Sequence, residues 1–339
     1  MRAIYCQRSD PPMDIRQPDG RHPTTSLPSG GAGTALLQRA LGELEAHLPD
    51  ALGGDPTAVH RARVASRRLR EALPVTLPES SVRRKALRGI RRVTRTLGRV
   101  REMDVALGVL DELAGRSGIA RDALEDVRAR IVAERDRRRG KMLHRLRRGR
   151  VDKLGRRLQS VAAELETVSA AGGNEALQTR IAGRARRLRR AIDRAGRIYA
   201  PEGLHRVRLA VKKLRYALEL AGDGGTPSSA DSVRTLKRTQ DTLGRLHDLQ
   251  IVQQHAAAVL ADPPARYGGS DGGLSLIASA LEEECRHLHA NYSGQVPALL
   301  AVVAECRTGL SRAARPPLER PPLKMLGSTG RRAPLPKRA

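Results

Sequence analysis

Along most of the chain, apolar residues recur at intervals of three and four, the spacing that gathers side chains on one face of an α-helix. No run alternates apolar with polar residues as a half-buried strand does, so the expected fold class is all-α. A first helix is expected from about Thr34 to His47, with Leu41, Leu44 and Leu48 as core positions. A second opens at Asp55-Pro56, an N-cap followed by proline at the first helical position, and is expected to end near Leu73 because Pro74 and Pro78 follow. A third runs from Ser80 or Ser81 to about Leu113, and a fourth from Ile119 to Val168 with a break near Gly149 or Gly155. Gly172-Gly173-Asn174 reads as a loop and as the boundary between two halves. Beyond it, helices are expected over Glu175 to Ile198, Glu202 to Leu220, Ala230 to Leu260 and Leu274 to Tyr292, with a short last piece from Pro297 to Gly309. Short connections between long helices imply antiparallel neighbours in bundles. Residues 1–33 and the basic, Pro-rich stretch 311–339 lack helical periodicity and are expected to be disordered.

The chain also repeats itself. HRARVASRRLR at 60–70 matches HRVRLAVKKLR at 205–215, an offset of 145 residues. LGRVRE at 97–102 matches LGRLHD at 243–248 in the same order, offset by 146. Two ordered matches at nearly one offset imply a duplicated helical unit of about four helices, one copy over 34–170 and the other over 175–310. At about 100° per residue, Ala62, Ala65, Leu69, Ala72 and Leu73 share a core side, and His60, Arg63, Arg67 and Arg70 lie opposite, facing outward. The second copy places Val207, Ala210, Leu214 and Leu218 inward and His205, Arg208, Lys212 and Arg215 outward, with Arg68 and Lys213 on the flanks. The next helix carries Arg84, Arg88, Arg91 and Arg95 on one face and Leu87, Ile90, Val93 and Leu97 on the core side; its counterpart carries Arg234, Lys237, Arg238 and Arg245.

Charge turns these faces into a candidate site. The 339 residues hold 63 Lys and Arg against 36 Asp and Glu, a formal net charge of +27, which attracts nucleic acid, anionic lipid or polyphosphate. Cations stacked at i, i+3, i+4 and i+7 repel one another by about a few tenths of a kcal/mol per pair. A solvated face intersperses Glu to relieve this; here the counter-charges are few, so an external polyanion is the natural compensator. There is no Trp or Phe and only five Tyr, so Leu, Ala and Val must build the core, which suits helix on helix. Cys6, Cys285 and Cys306 form no CxxC pair, the N-terminal MRAIYCQRSDPPMD has no apolar core of a signal peptide, and no apolar run is long enough for a bilayer. These features point to a cytoplasmic protein with no membrane partner.

The His-led basic motif H-x-x-R-x-x-x-R/K-R/K-L-R and the L-G-x-x-R/N-D/E motif that follows it resemble those of the CHAD family, the conserved-histidine α-helical domain. The resemblance covers roughly 34–310; Glu102 stands where Asp is expected and His247 where Asn is usual. It implies two tandem four-helix bundles related by a pseudo-two-fold, basic residues lining a central groove or pore, and binding of inorganic polyphosphate without catalysis, in some cases at polyphosphate granules. The site it implies comprises His60, Arg63, Arg67, Arg68, Arg70, Arg84, Arg88, Arg91, Arg95, His205, Arg208, Lys212, Lys213, Arg215, Arg234, Lys237 and Arg238, with no cofactor and no metal.

Two rival functions are weaker. RNA binding is the alternative that net charge allows, but single-strand recognition leans on aromatic platforms that this chain scarcely has. For an enzyme there is no P-loop, and the nearest approach to a triphosphate-cleaving E-x-E-x-K signature is Glu43-Leu-Glu45-Ala-His47, which lacks the lysine. Asp104, Glu102 and Asp248 read as ion-pair partners of the Arg-rich helices, not as Mg²⁺ ligands. Cys285-x-His287-x-His289 offers half of a metal site at best. Gly98 and Gly244 read as points of close helix approach, and Tyr216, beside the second basic stripe, reads equally as a hydrogen-bond donor to phosphate or as a packed residue.

Overall fold

The computed structural model describes residues 32–115, 120–146, 148–167, 173–222, 228–262 and 272–313. Most of residues 1–33 and of 311–339, expected to be disordered, lie outside them. The described residues form helices without strands: α1 (Ala32–Gly53), α2 (Pro56–Thr76), α3 (Ser81–Ala114), α4 (Arg121–Arg145), α5 (Arg148–Thr167), α6 (Gly173–Ala195), α7 (Pro201–Gly222), α8 (Ser228–Ala261) and α9 (Gly272–Ala313). The all-α expectation is met.

Local chemistry sets the ends. Asp55 caps α2 by accepting from the backbone N–H of Thr57 at 2.9 Å and of Ala58 at 3.2 Å, and Ser80 caps α3 by accepting from that of Arg83 at 3.0 Å. Pro74 does not end α2, contrary to expectation. It lies in the last turn, and the chain leaves the helix at Leu77, whose extended backbone (φ −119°, ψ 138°) is what the following Pro78 demands. Pro297 likewise falls inside a single α9, where the apolar Leu299, Val302 and Val303 carry the helix onward into the core. The fourth helix divides near Gly149, as expected: buried Leu146 leaves helical geometry at φ −109°, ψ 34°, α5 begins at Arg148, and Gly149 and Gly155 both lie within α5. Of the expected loop at 172–174, Gly172 lies outside the described residues, and Gly173 and Asn174 already belong to α6.

Helices α1, α2, α3 and α5 pack as one ring, and α6, α7, α8 and α9 as another. One apolar cluster runs through both rings, from Leu37, Leu69 and Leu97 to Leu214, Leu243 and Leu299. The far halves of α3 and α8 continue into a second cluster with α4 and the start of α9, built on Met103, Leu110, Ile131, Leu249 and Ile277. The long helices α3 and α8 therefore tie both clusters together. Burial of each such Leu or Ile contributes about 1.5–3 kcal/mol. A buried polar pin joins α2 to α3: Thr94 Oγ1 donates to the Ile90 carbonyl, and Ser66 and Thr94 hydroxyls meet at 2.9 Å. The expected core positions Ala62, Ala65, Leu69, Ala72, Leu73, Leu87, Ile90, Val93, Leu97, Val207, Leu214 and Leu218 are buried. Ala210 is only partly so.

Candidate functional site

The two His-led helices do not turn their basic faces to solvent as expected. α2 packs against α7, and the faces opposite their cores converge at the crossing. Arg63 and Arg208 are equivalent positions of the repeat, and Arg208 is close enough to disfavour the charged state of Arg63, as Arg67 is to disfavour that of Lys212. Arg67 reaches the Tyr216 hydroxyl at 3.5 Å. Gly98 makes room for this: a Cβ there would stand 2.7 Å from Arg63 Nη1. The close approach at Gly98 is thus to a guanidinium, while Gly244 faces open space.

The crossing stores unfavourable electrostatics. Burial, then Arg67 and Arg208, push the Arg63 guanidinium well below its ordinary value, and burial, aided by Arg67, lowers Arg208. A guanidinium still keeps its proton at neutral pH. Lys212 can lose its own: only 8% exposed, it is pushed down to about 6 by burial and by Arg208, Arg67 and Arg63, with Asp248 opposing. Burial followed by neighbouring cations also lowers His60 (Arg101, Arg63, Arg67) and His205 (His247, Arg208, Lys212). The His205 and His247 rings lie 5.0 Å apart.

The second motif supplies the acids behind the crossing. Burial disfavours the Glu102 carboxylate, but hydrogen bonds from His247 and Arg138 outweigh it and hold the group at about 2. Arg138 Nη1 meets Glu102 at 2.5 Å, and Arg135 meets Asp104 at 2.7 Å. Burial raises Asp248, against the pull of Arg208, His247, Lys212 and Arg245. Arg245 itself is engaged by Glu112 and Glu284. Glu102 and Asp104 thus pair with arginines of α4, as the sequence indicated.

From the crossing a groove of about 1230 Å³ opens between α2, α3, α6 and α7. Of the expected residues, Arg63, Arg67, Arg70, Arg84, Arg88, Arg91, Arg95, His205, Lys212 and Lys213 line it. Arg83 and three residues of α6 that were not anticipated, Arg180, Arg184 and Arg187, complete the wall. The acids present are Glu79, which lies 3.6 Å from Arg83 and Arg84, and the buried Glu71, held by Arg180 at 2.7 Å and Arg184 at 2.9 Å.

The other expected residues lie elsewhere. His60, Arg68 and Arg215 line a separate cavity of about 440 Å³ that shares Arg67, Glu71 and Tyr216 with the groove. Arg68 pairs with Glu43 at 3.0 Å, and Arg215 with Glu219 and Gln240. Arg208 sits in the crossing and does not line the groove. Arg234, Lys237 and Arg238 are exposed on α8 and line neither cavity, because α6, not α8, stands opposite α3; Arg234 pairs with Asp231. The expectation of two matching faces therefore holds at the α2–α7 crossing but not for α3 and α8. Cys285 is buried beside Tyr199, and among the described residues no three His, Cys, Asp or Glu side chains are grouped as for a metal. No helix among them is long and apolar enough to cross a membrane.

Fold and site together define an all-helical protein with an internal motif repeat, built around a cationic crossing and groove. The chain belongs to the CHAD domain family, whose family model matches residues 35–257. Among solved structures it is similar to the CHAD domain from the plant Ricinus communis, with a TM-score of 0.53 and 22% identity over 81% of this chain and 90% of that one. It is also similar to PptA from Streptomyces chartreusis, with a TM-score of 0.60 and 17% identity over 80% of this chain and 100% of that one. No curated protein matches it.

Proposed function

We propose that the chain binds inorganic polyphosphate in the α2–α3–α6–α7 groove without transforming it. The family is associated with polyphosphate binding. The observation that carries the reading is the groove's composition: eleven arginines and two lysines against two glutamates, with Tyr216 as its sole phenol or aromatic hydrocarbon ring. Arg forks grip phosphate oxygens bidentately, and lysines act as point charges. Such a lining suits a strand of phosphates with no bases to stack. RNA is the second reading, favoured only by net charge. Association with polyphosphate granules would follow from the same affinity.

A titration at several salt concentrations tests this. Affinity should fall steeply with salt. Neutralising Arg63, Arg67 and Lys212 together should lower it at least a hundredfold, by about 1.5 kcal/mol or more per charge-assisted hydrogen bond lost. RNA at matched phosphate concentration should compete poorly, and pure protein with Mg²⁺ should release no phosphate. RNA winning by a wide margin, or sustained phosphate release, would overturn the proposal.

The pH dependence has a definite sign. Binding a polyanion raises the proton affinity of Lys212, His60 and His205, so the complex takes up protons. Affinity should therefore weaken as pH rises from 6 to 8, by up to about tenfold per unit for each proton taken up. Calorimetry in buffers of different ionisation enthalpy checks it; a flat profile with no proton uptake contradicts the role given to Lys212.

A further inference from the structure

Beside the groove, around the flank of α3, lies a smaller cavity of about 320 Å³ lined by Arg92, Arg95, Thr96, Arg99, Arg145 and Arg150. It contains five guanidinium groups from α3, α4 and α5 and no carboxylate. Among the described residues no acid pairs with any of the five. Arg95 lines both this bay and the main groove. At 100° per residue, the groove-facing Arg84 and Arg91 and the bay-facing Arg92 and Arg99 occupy adjacent sectors of α3, with Arg95 on the seam between them. The cationic surface is thus continuous around the helix.

The neighbouring pocket shows why the bay stands out. That pocket, between α3 and α4, is also Arg-rich, but its Arg137 and Arg138 are held by Glu134, at 2.5 and 2.6 Å, and Arg138 also by Glu102 at 2.5 Å. Arg137 and Arg138 thus have acidic partners. Arg99 and Arg145 line both that pocket and the bay; among the described residues neither they nor the other guanidiniums of the bay pair with an acid, and Arg145 and Arg150 meet across the α4–α5 bend, where the Arg150 guanidinium donates to the Arg145 carbonyl at 3.3 Å. Bringing five guanidiniums of three helices together uncompensated is costly unless an anion joins them.

We infer that this bay is a second phosphate-binding subsite, into which a polyphosphate strand continues after leaving the groove over Arg95. The inference rests on the polyphosphate reading of the groove and adds a length requirement to it. A short oligophosphate fills the groove alone. A longer chain wraps the flank of α3 and gains the bay as well, so affinity for long chains exceeds that for short ones by more than the number of equivalent registers provides.

The test compares an oligophosphate of a few units with polyphosphate of about a hundred units, on the full chain, in three variants. Arg92→Gln/Arg99→Gln/Arg150→Gln removes three exposed cations of the bay and leaves Arg95 in place. Arg234→Gln/Lys237→Gln/Arg238→Gln removes three exposed cations of α8 and matches the change in net charge. Arg63→Gln/Arg67→Gln disables the crossing. The bay variant should lose about thirtyfold in affinity for the long chain, at roughly threefold for each of three phosphate contacts, and little for the short one. The α8 variant should change both slightly and equally. Unfolding midpoints report whether each variant folds. Equal losses for long and short chains in the bay variant, or the same loss in the α8 variant, would overturn the subsite. If the crossing variant binds both ligands normally, the groove reading itself fails, a separate outcome.

Discussion

Replacing Lys212 with methionine is expected to make the free protein more stable and a weaker ligand binder at once. Lys212 is almost wholly buried among Arg208, Arg67 and Arg63, with Asp248 opposing them. In the unfolded chain an ordinary lysine titrates near 10.4; in the fold Lys212 titrates at about 6. Between those values the unfolded state binds more protons than the folded one, so stability rises with pH through this window. The penalty is full below about pH 6 and relieved as pH approaches the unfolded value. Methionine keeps the aliphatic stem and removes the charge. Substitutions of buried charges by apolar groups of similar volume stabilise by about 1–4 kcal/mol. For a chain of this size that is several degrees in Tm, at about 2–4 °C per kcal/mol. Thermal unfolding at pH 6 and pH 9 checks the sign: the variant's advantage should be larger at pH 6, and wild type should gain more than the variant on going to pH 9. Polyphosphate affinity at pH 6 should fall about tenfold, the loss of one charge-assisted contact. A variant less stable than wild type at pH 6 would show that Lys212 has a compensating partner in the free protein.

That trade-off follows from a feature the sequence displayed but did not orient. Helical periodicity separated the core residues of α2, α3 and α7 from their basic faces correctly, because burial of Leu, Ile and Val fixes the inward side whatever lies opposite. It could not tell a solvent-facing basic stripe from one facing another basic stripe. His60, Arg63, Arg67 and Arg70 look alike on a helical wheel, yet Arg63 and Arg67 meet the second copy while His60 points to the other cavity. The extrapolation from α3 to α8 failed for a related reason. Arg234, Lys237 and Arg238 repeat the spacing of the α3 stripe, but which helix stands across the groove is decided by packing of the halves, and that helix is α6.

The α6 wall was legible and overlooked. Arg180, Arg184 and Arg187 have the i, i+4, i+7 spacing that marked the α3 stripe, but they lie outside both repeated motifs. The proline errors have a simpler cause. Pro74 and Pro297 each remove one backbone hydrogen bond, which ends a helix that has little else to hold it. Here the residues beyond them still reach the core, Leu77 after Pro74 and Leu299 after Pro297.

Glu71 is where the wall meets the core, and Glu71→Gln is expected to be the most damaging single change in the groove. Its carboxylate is 4% exposed and collects Arg180, Arg184 and, at 3.8 Å, Arg70. Burial, with Arg184 and Arg70 next, already depresses the nearby Lys213, and Glu71 is the neighbour that supports its charge. Glutamine preserves shape and removes the shared counter-charge, leaving Arg180 and Arg184, both largely buried, without compensation. Breaking a buried ion pair from one side costs about 3–5 kcal/mol. The free variant should therefore unfold several degrees below wild type. Polyphosphate should then stabilise the variant more than wild type, because the ligand replaces the lost negative charge and binds a wall from which a repelling carboxylate has gone; mass action converts that tighter binding into a larger Tm increase at equal ligand concentration. Adding Arg184→Gln to Glu71→Gln should restore part of the lost stability, since it removes one of the orphaned cations. A cost below about 1 kcal/mol for Glu71→Gln, in the range of exposed ion pairs, or an equal ligand-induced shift in both proteins, would mean that α6 is held to α2 by its apolar contacts alone and that Glu71 does not oppose the ligand.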